Sequence, residues 1–300
     1  MNTLKKCLPD IAAVIFFILI SVAYFFVPMT RGEVLYQGDN TAGAGLNKDV
    51  DDHYAKTGDV SHWTNTAFSG MPTYQMRSSY KSTNILNQFV QAYHLWLPQY
   101  VWYLFAYLIG FYILLRAFDF RQMLAALGSV IWAFSSYFLI IIAAGHFWKV
   151  MALAYLPPMI AGIVLAYKGK YLWGLIVTTI FAAFEISANH VQMTYYYLFV
   201  IFFMVLAFLA VAIKNKTLPQ FAKATVVCLI AAALGIAINS TNLYHTWQYQ
   251  KESMRGKSEL ASKTDPSNQT SSGLDRDYIT QWSYGIGETW TLLIPNAKGG

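Results

Sequence analysis

Charge, cysteine and recognisable catalytic signatures are what this 300-residue chain has least of. Charged residues make up 12%, about half the roughly 25% of an ordinary soluble domain. That excludes intrinsic disorder, which needs high charge and few apolar residues, and argues against a nucleic-acid-binding module. The two cysteines, Cys7 and Cys228, are too few for a disulfide framework and are expected as free thiols. There is no zinc-ligand spacing, phosphate loop, dinucleotide fingerprint or Gly-x-Ser-x-Gly, so neither an ATPase nor a serine hydrolase is supported. No internal repeat and no low-complexity tract is visible.

What is abundant is apolar. Hydrophobic residues reach 56% and aromatics 17%, with 21 Tyr, 20 Phe and 9 Trp, and the mean hydropathy is +0.38. A bilayer-spanning helix needs about 20 mostly apolar residues. Seven runs approach that length: 10–28, 99–116, 123–144, 150–167, 171–188, 194–213 and 223–239. The expected fold is therefore an all-α polytopic membrane protein with about seven transmembrane helices. Lys5 and Lys6 with the small residues Ser21 and Ala23 resemble a signal peptide, but Tyr24 to Val27 carry the apolar run past that point. An uncleaved anchor is expected.

Orientation follows from the basic residues. With the N-terminus in the cytoplasm, the inner segments hold Lys5, Lys6, Arg116, Arg121, Lys168, Lys170, Lys214, Lys216 and Lys223. The short outer turns 145–149 and 189–193 hold only Lys149. That bias obeys the positive-inside rule, so the net charge of +6 reports topology rather than an anionic partner. Four segments result: the cytoplasmic N-terminus and first helix (1–28), a long outer loop (29–98), a six-helix bundle (99–239) and an outer segment (240–300).

The outer loop carries an amphipathic pattern after Ser82-Thr83. Ile85, Leu86, Phe89, Val90, Tyr93, Trp96 and Leu97 repeat at helical spacing, and Asn84, Asn87, Gln88, Gln91 and His94 take the other face. A helix over 84–97 is expected, lying in the membrane interface or, as the alternative, packed on the protein's own outer domain. Gly38-Asp39-Asn40 and Phe68-Ser69-Gly70-Met71-Pro72 read as tight turns. From spacing alone, Asp39 is first of all an Asx-turn residue. Pro157-Pro158 predicts a kink in the fourth span.

Polar chemistry gathers on the outer side. All six histidines fall there or at outer helix ends: His53, His62, His94, His146, His190 and His245. Two short turns read Gly145-His146-Phe147-Trp148-Lys149 and Asn189-His190-Val191-Gln192, with Glu185 one turn before the second. Glu185 is an ionisable residue inside an apolar run, a functional hypothesis in itself. Lys149 and the histidines could donate to an anionic head group, or serve as snorkelling and aromatic-belt residues. Asp49-Val50-Asp51 and Asp275-Arg276-Asp277 are short acidic strings that bind a divalent metal only if other ligands join them. Such strings in exposed loops are mostly solvated charge, so no cofactor is expected, with a divalent metal left as the alternative.

Six stretches resemble the bacterial YfhO membrane-protein family: YQGDNTAG (36–43), WTNTAFSGMPTYQ (63–75), WAFSSYFLIIIAAGHFWK (132–149), LAYLPPMIAGIVLAYKGKY (153–171), NHVQMTYYYLF (189–199) and TSSGLDRDYITQWSYGIGET (270–289). That family is similar to GT-C type membrane glycosyltransferases. The resemblance implies a multi-pass protein of the bacterial inner (cytoplasmic) membrane. It implies transfer of a sugar from a polyprenyl-phosphate donor, across the outer face, to an envelope glycan or glycopolymer acceptor. Membrane lipid is the medium and nucleic acid is no partner. Asp39 matches the acidic position after the first span and becomes the candidate catalytic base. Lys149, His146 and His190 become candidates for the donor phosphate, and Glu185, Asn189 and Gln192 further site candidates. Family members are usually longer, so the chain resembles an N-terminal portion. Two rival readings stand beside this one: a non-catalytic envelope assembly protein, and a lipid or small-molecule transporter.

Overall fold

A computed structural model describes residues 2–33, 37–73 and 81–253, together with 277, 280, 281, 283, 285–292, 297 and 298. Two compact units divide the chain, Met1–Thr241 and Asn242–Gly300. Helices dominate; among the described residues the strands are two two-residue segments, β1 (Trp63–Thr64) and β2 (Met71–Pro72), paired antiparallel.

In the first unit α1 (Asn2–Tyr24) and α2 (Phe26–Arg31) lead to α3 (Gly38–Thr57), the hairpin and α4 (Lys81–Tyr93). The bundle follows as α5 (Gln99–Ala117), α6 (Gln122–Ala133), α7 (Ser136–Ala144), α8 (Phe147–Tyr167), α9 (Tyr171–Ser187), α10 (Val191–Lys214) and α11 (Leu218–Ile238). Among the described residues, α1, α5, α8, α10 and α11 are long and apolar enough to cross a membrane. The pair α6 and α7 makes a sixth if it is one span, and α9 is a shorter apolar helix of 17 residues. The first unit is thus a mainly helical bundle whose long apolar helices are those of a multi-pass membrane protein.

Small residues set its closest contacts, as is usual where lipid supplies no hydrophobic drive between helices. A β-carbon on Gly110 would meet Ala154 O of α8 at 2.6 Å. One on Gly162 would meet Thr178 N of α9 at 2.5 Å, and one on Gly174 would meet Ala166 N at 2.7 Å. The fifth and eighth helices are the most buried; Tyr103, Tyr107 and Tyr155 lie fully inside. Asn239, at the end of α11, donates to Ala183 O at 3.0 Å and fixes α11 against α9.

The first helix belongs to this bundle. It runs antiparallel to α5: near its start Asp10 Oδ1 accepts from Arg116 Nε at 2.9 Å and from the Tyr112 hydroxyl at 2.6 Å. Further along, Phe17 packs edge-on against Tyr112 with ring centroids 5.5 Å apart. Just past its end, the rings of Phe25 and Tyr100 lie 6.2 Å apart.

Four local expectations change. The third apolar run is two helices, bent by 49° at Phe134-Ser135, where a single helix over 123–144 is expected from sequence. The break falls at adjacent serines, 135 and 136, and serine pairs are common sites of helix kinks; Ser135 takes an extended backbone as the N-cap of the second helix. At Pro157-Pro158, where a kink and not a break is expected, α8 continues through both prolines, which are buried inside it. Gly38-Asp39-Asn40 opens a 20-residue helix instead of forming a turn. The amphipathic helix spans Lys81–Tyr93, and the chain then turns through Leu95 and Trp96 at φ 54° and 51°. His94 is drawn inward, off the polar face expected for it, to stack on Trp102 at 3.8 Å between ring centroids. Leu86 and Val90 of α4 pack inward, whereas Ile85 and Phe89 stay exposed.

The hairpin is held to α3 by the Asp49 carboxylate and by the Thr66 hydroxyl, which donates to Leu46 O at 2.6 Å. Asp49 accepts from the Thr64 hydroxyl at 2.8 Å and from the N–H groups of Asn65 at 3.0 Å and Val50 at 2.8 Å. The Asn65 N–H and the Thr64 hydroxyl hold its carboxyl below the usual range. The tight turn at Phe68-Ser69-Gly70 is present, all three residues having positive φ.

Candidate functional site

The candidate site forms where helix α3 begins. Gln37, the residue before it, is buried and extended. Its side-chain amide donates to Ile142 O of α7, and its carbonyl oxygen accepts from Asn40. Gly145 makes this docking fit: it caps α7 at φ +85°, and a β-carbon there would lie 2.8 Å from Gln37 Cβ. The turn after Gly145 places His146 Nδ1 3.0 Å from Asp39 Oδ2. Both side chains are exposed, at 49% and 64%, so the pair is available to a ligand.

A cleft of about 510 Å³ opens beside them. Its lining comes from the start of α3 (Gln37, Asp39, Asn40, Thr41), the start of α5 (Gln99, Tyr100) and the first residue of α8 (Phe147). Three helix N-termini therefore meet at one cleft. Each carries free N–H groups and the positive end of a helix dipole, which together favour an anion.

Lys149 lies in the first turn of α8, partly buried. His190 caps α10 and accepts at Nδ1 from Met193 N at 3.4 Å. Burial holds its pKa below the usual value, and the nearby Lys149 and His146 push in the same direction. Asp39, His146, Lys149 and His190 thus form one electrostatic group, although α3 and α10 are far apart in sequence.

The remaining candidates sit elsewhere. Glu185 is buried within α9 and accepts from the Thr194 hydroxyl at 2.9 Å. Asn189 occupies the α9–α10 turn at φ 56°. Gln192 is exposed and donates to the Tyr196 hydroxyl at 2.8 Å. Among the described residues no group of three or more His, Cys, Asp or Glu could hold a metal ion. The Asp49 carboxylate of Asp49-Val50-Asp51 is engaged by the hairpin, accepting from the Thr64 hydroxyl and the Asn65 N–H. Asp275 and Arg276 lie outside the described residues.

Sequence reasoning passed over Gln37, Asn40 and Gln99. The first two stand within the YQGDNTAG stretch, which was read as a turn. Gln99 follows a proline and has no motif to mark it. No protein-family model, curated protein or solved structure matches the chain.

Proposed function

We propose that the chain is a membrane glycosyltransferase of GT-C-like type, moving a sugar from a polyprenyl-phosphate donor to an envelope acceptor. One observation carries this reading: Asp39, paired with His146, lines a cleft built from three helix N-termini, and His146 and Lys149 both act electrostatically on His190. The arrangement suits a reaction that must accept a proton on one side and steady a phosphate on the other.

In the proposed reaction an acceptor hydroxyl attacks the anomeric carbon. Asp39 takes the hydroxyl proton, the role of a carboxylate general base. The bond from the anomeric carbon to the phosphate oxygen breaks, and the lipid phosphate leaves. Lys149, His190 and the helix N-termini offset its charge. A single displacement inverts the anomeric configuration, as in one-step glycoside chemistry.

The proposal places α9 and the bent pair α6–α7 across the membrane, for seven spans, with the N-terminus in the cytoplasm of the bacterial inner membrane. It places α4 in the outer interface, with Ile85, Phe89 and Trp96 toward lipid. The test is transfer of labelled sugar from polyprenyl-phosphate donors in vesicles carrying the chain. Transfer with inverted configuration is expected; transfer with retention, or none from any donor, contradicts the proposal.

A second reading, transport of a lipid or small molecule, is favoured by the 49° break between α6 and α7, since broken spans are a habit of transporters. Uptake by vesicles without sugar transfer would select it.

A further inference from the structure

A second concavity lies at the far end of the bundle, where α5 and α8 finish and α1 begins. It is a groove of about 300 Å³ lined by Asp10, Tyr112, Ile113, Arg116, Ala117 and Leu165. Its walls are apolar and its rim is charged. The rim pair is half-committed. Asp10 uses Oδ1 for Tyr112 and Arg116, and Arg116 uses Nε for Asp10 and Nη1 for Phe120 O. Among the described residues, Asp10 Oδ2 and Arg116 Nη2 carry no hydrogen bond. Both side chains are about one-third exposed. One free acceptor and one free donor therefore stand side by side above an apolar slot.

The local field has a sign. Helices α5 and α8 both end here, and helix C-termini favour a cation. Lys168 is already spent on Ala117 O and Asp119, and that ion pair holds the Asp119 carboxyl below the usual range.

We propose that this groove binds a zwitterionic phospholipid whose head group carries a primary ammonium. The ammonium donates to Asp10 Oδ2 and lies near the two helix C-termini. The phosphate accepts from Arg116 Nη2, and an acyl chain lies against Ile113, Ala117 and Leu165. A quaternary ammonium has no N–H to give Asp10. A purely anionic head group meets a carboxylate with no cation of its own. The site is distinct from the Asp39 cleft and stands whether or not the chain transfers sugar.

The experiment uses the chain purified in detergent with equal amounts of three phospholipids sharing the same acyl chains. Their head groups are ethanolamine, choline and glycerol, and native mass spectrometry counts what stays bound. Ethanolamine lipid should be retained about fivefold over the other two, the ratio that one exposed ion pair can supply. Asp10→Asn keeps an acceptor for Tyr112 and should abolish that preference. Leu165→Trp fills the groove without touching the rim; it should lower retention of the preferred lipid while the circular dichroism of the helices stays unchanged. Equal retention of the three head groups, a preference for another one, a preference that survives Asp10→Asn, or retention unchanged in Leu165→Trp would each overturn the proposal.

Discussion

Gly145 and His94 show how single residues hold the outer end of the bundle. Gly145 combines a left-handed backbone with contact against Gln37. Gly145→Ala should lower stability by about 1–2 kcal/mol from the backbone alone, and its β-carbon should push Gln37 away from Ile142 O. The thermal midpoint of the purified chain reads the first effect, and reduced sugar transfer the second. His94 is fully buried, stacked on Trp102, with Nε2 2.8 Å from the Tyr155 hydroxyl. Burial pushes its pKa down to about 3. The folded state then binds fewer protons than the unfolded state between pH 6.5 and about 3, so stability is complete above pH 6.5 and falls as pH drops through that window. The slope contributed by this one group is about 1.4 kcal/mol per pH unit. Thermal midpoints between pH 7 and 4 should fall more steeply for the parent than for His94→Gln. His190 shares the direction of shift but is present in both proteins, so the difference belongs to His94. Equal slopes would contradict the assignment.

Among the elements, the apolar helices were legible in sequence and the outer loop was not. Length and hydropathy alone locate α5, α8, α10 and α11, because lipid demands uninterrupted apolar surface. Helix α3 escaped because it is polar almost all round. Its apolar positions, Leu46, Val50 and Tyr54, repeat every four residues, but only Val50 is buried. Glycines at 38, 43 and 45 also disguise its start, since glycine weakens helix propensity. The α6–α7 break carries a signal, Ser135-Ser136, that hydropathy cannot see. The site was legible only in part. Asp39 and the two histidine turns could be named one by one. Their meeting depends on Gln37 reaching Ile142 O, a tertiary contact that no spacing encodes. The glycine contacts are the element-scale prediction. At Gly162 the obstructing atoms are the Thr178 hydroxyl and, behind it, backbone, with Thr178 N at 2.5 Å, which cannot move aside. Gly162→Leu should separate α8 from α9 and cost about 3 kcal/mol, read as a lowered unfolding midpoint in detergent.

For the whole molecule, the open quantity is how many helices cross. Among the described residues five are long and apolar enough to cross, and the seven-span proposal requires those five and both α9 and the α6–α7 pair to cross. Single cysteines placed at Gly169 and Asn189, in a chain lacking Cys7 and Cys228, bracket α9. In sealed vesicles a membrane-impermeant thiol reagent should label one of them from outside and the other only after lysis. Labelling of both from one side would remove α9 from the spans and leave the basic-residue bias without its topology.

The central claim is that the cleft beside Asp39 is where chemistry happens, and Asp39→Asn tests it most directly. The substitution keeps the shape and a hydrogen-bond acceptor for His146 but removes the base. Sugar transfer from a polyprenyl-phosphate donor should be compared in vesicles holding equal amounts of parent and variant. Transfer by the parent and a loss of about a hundredfold or more in the variant are expected, the usual scale for a general base. Equal transfer by both would contradict it.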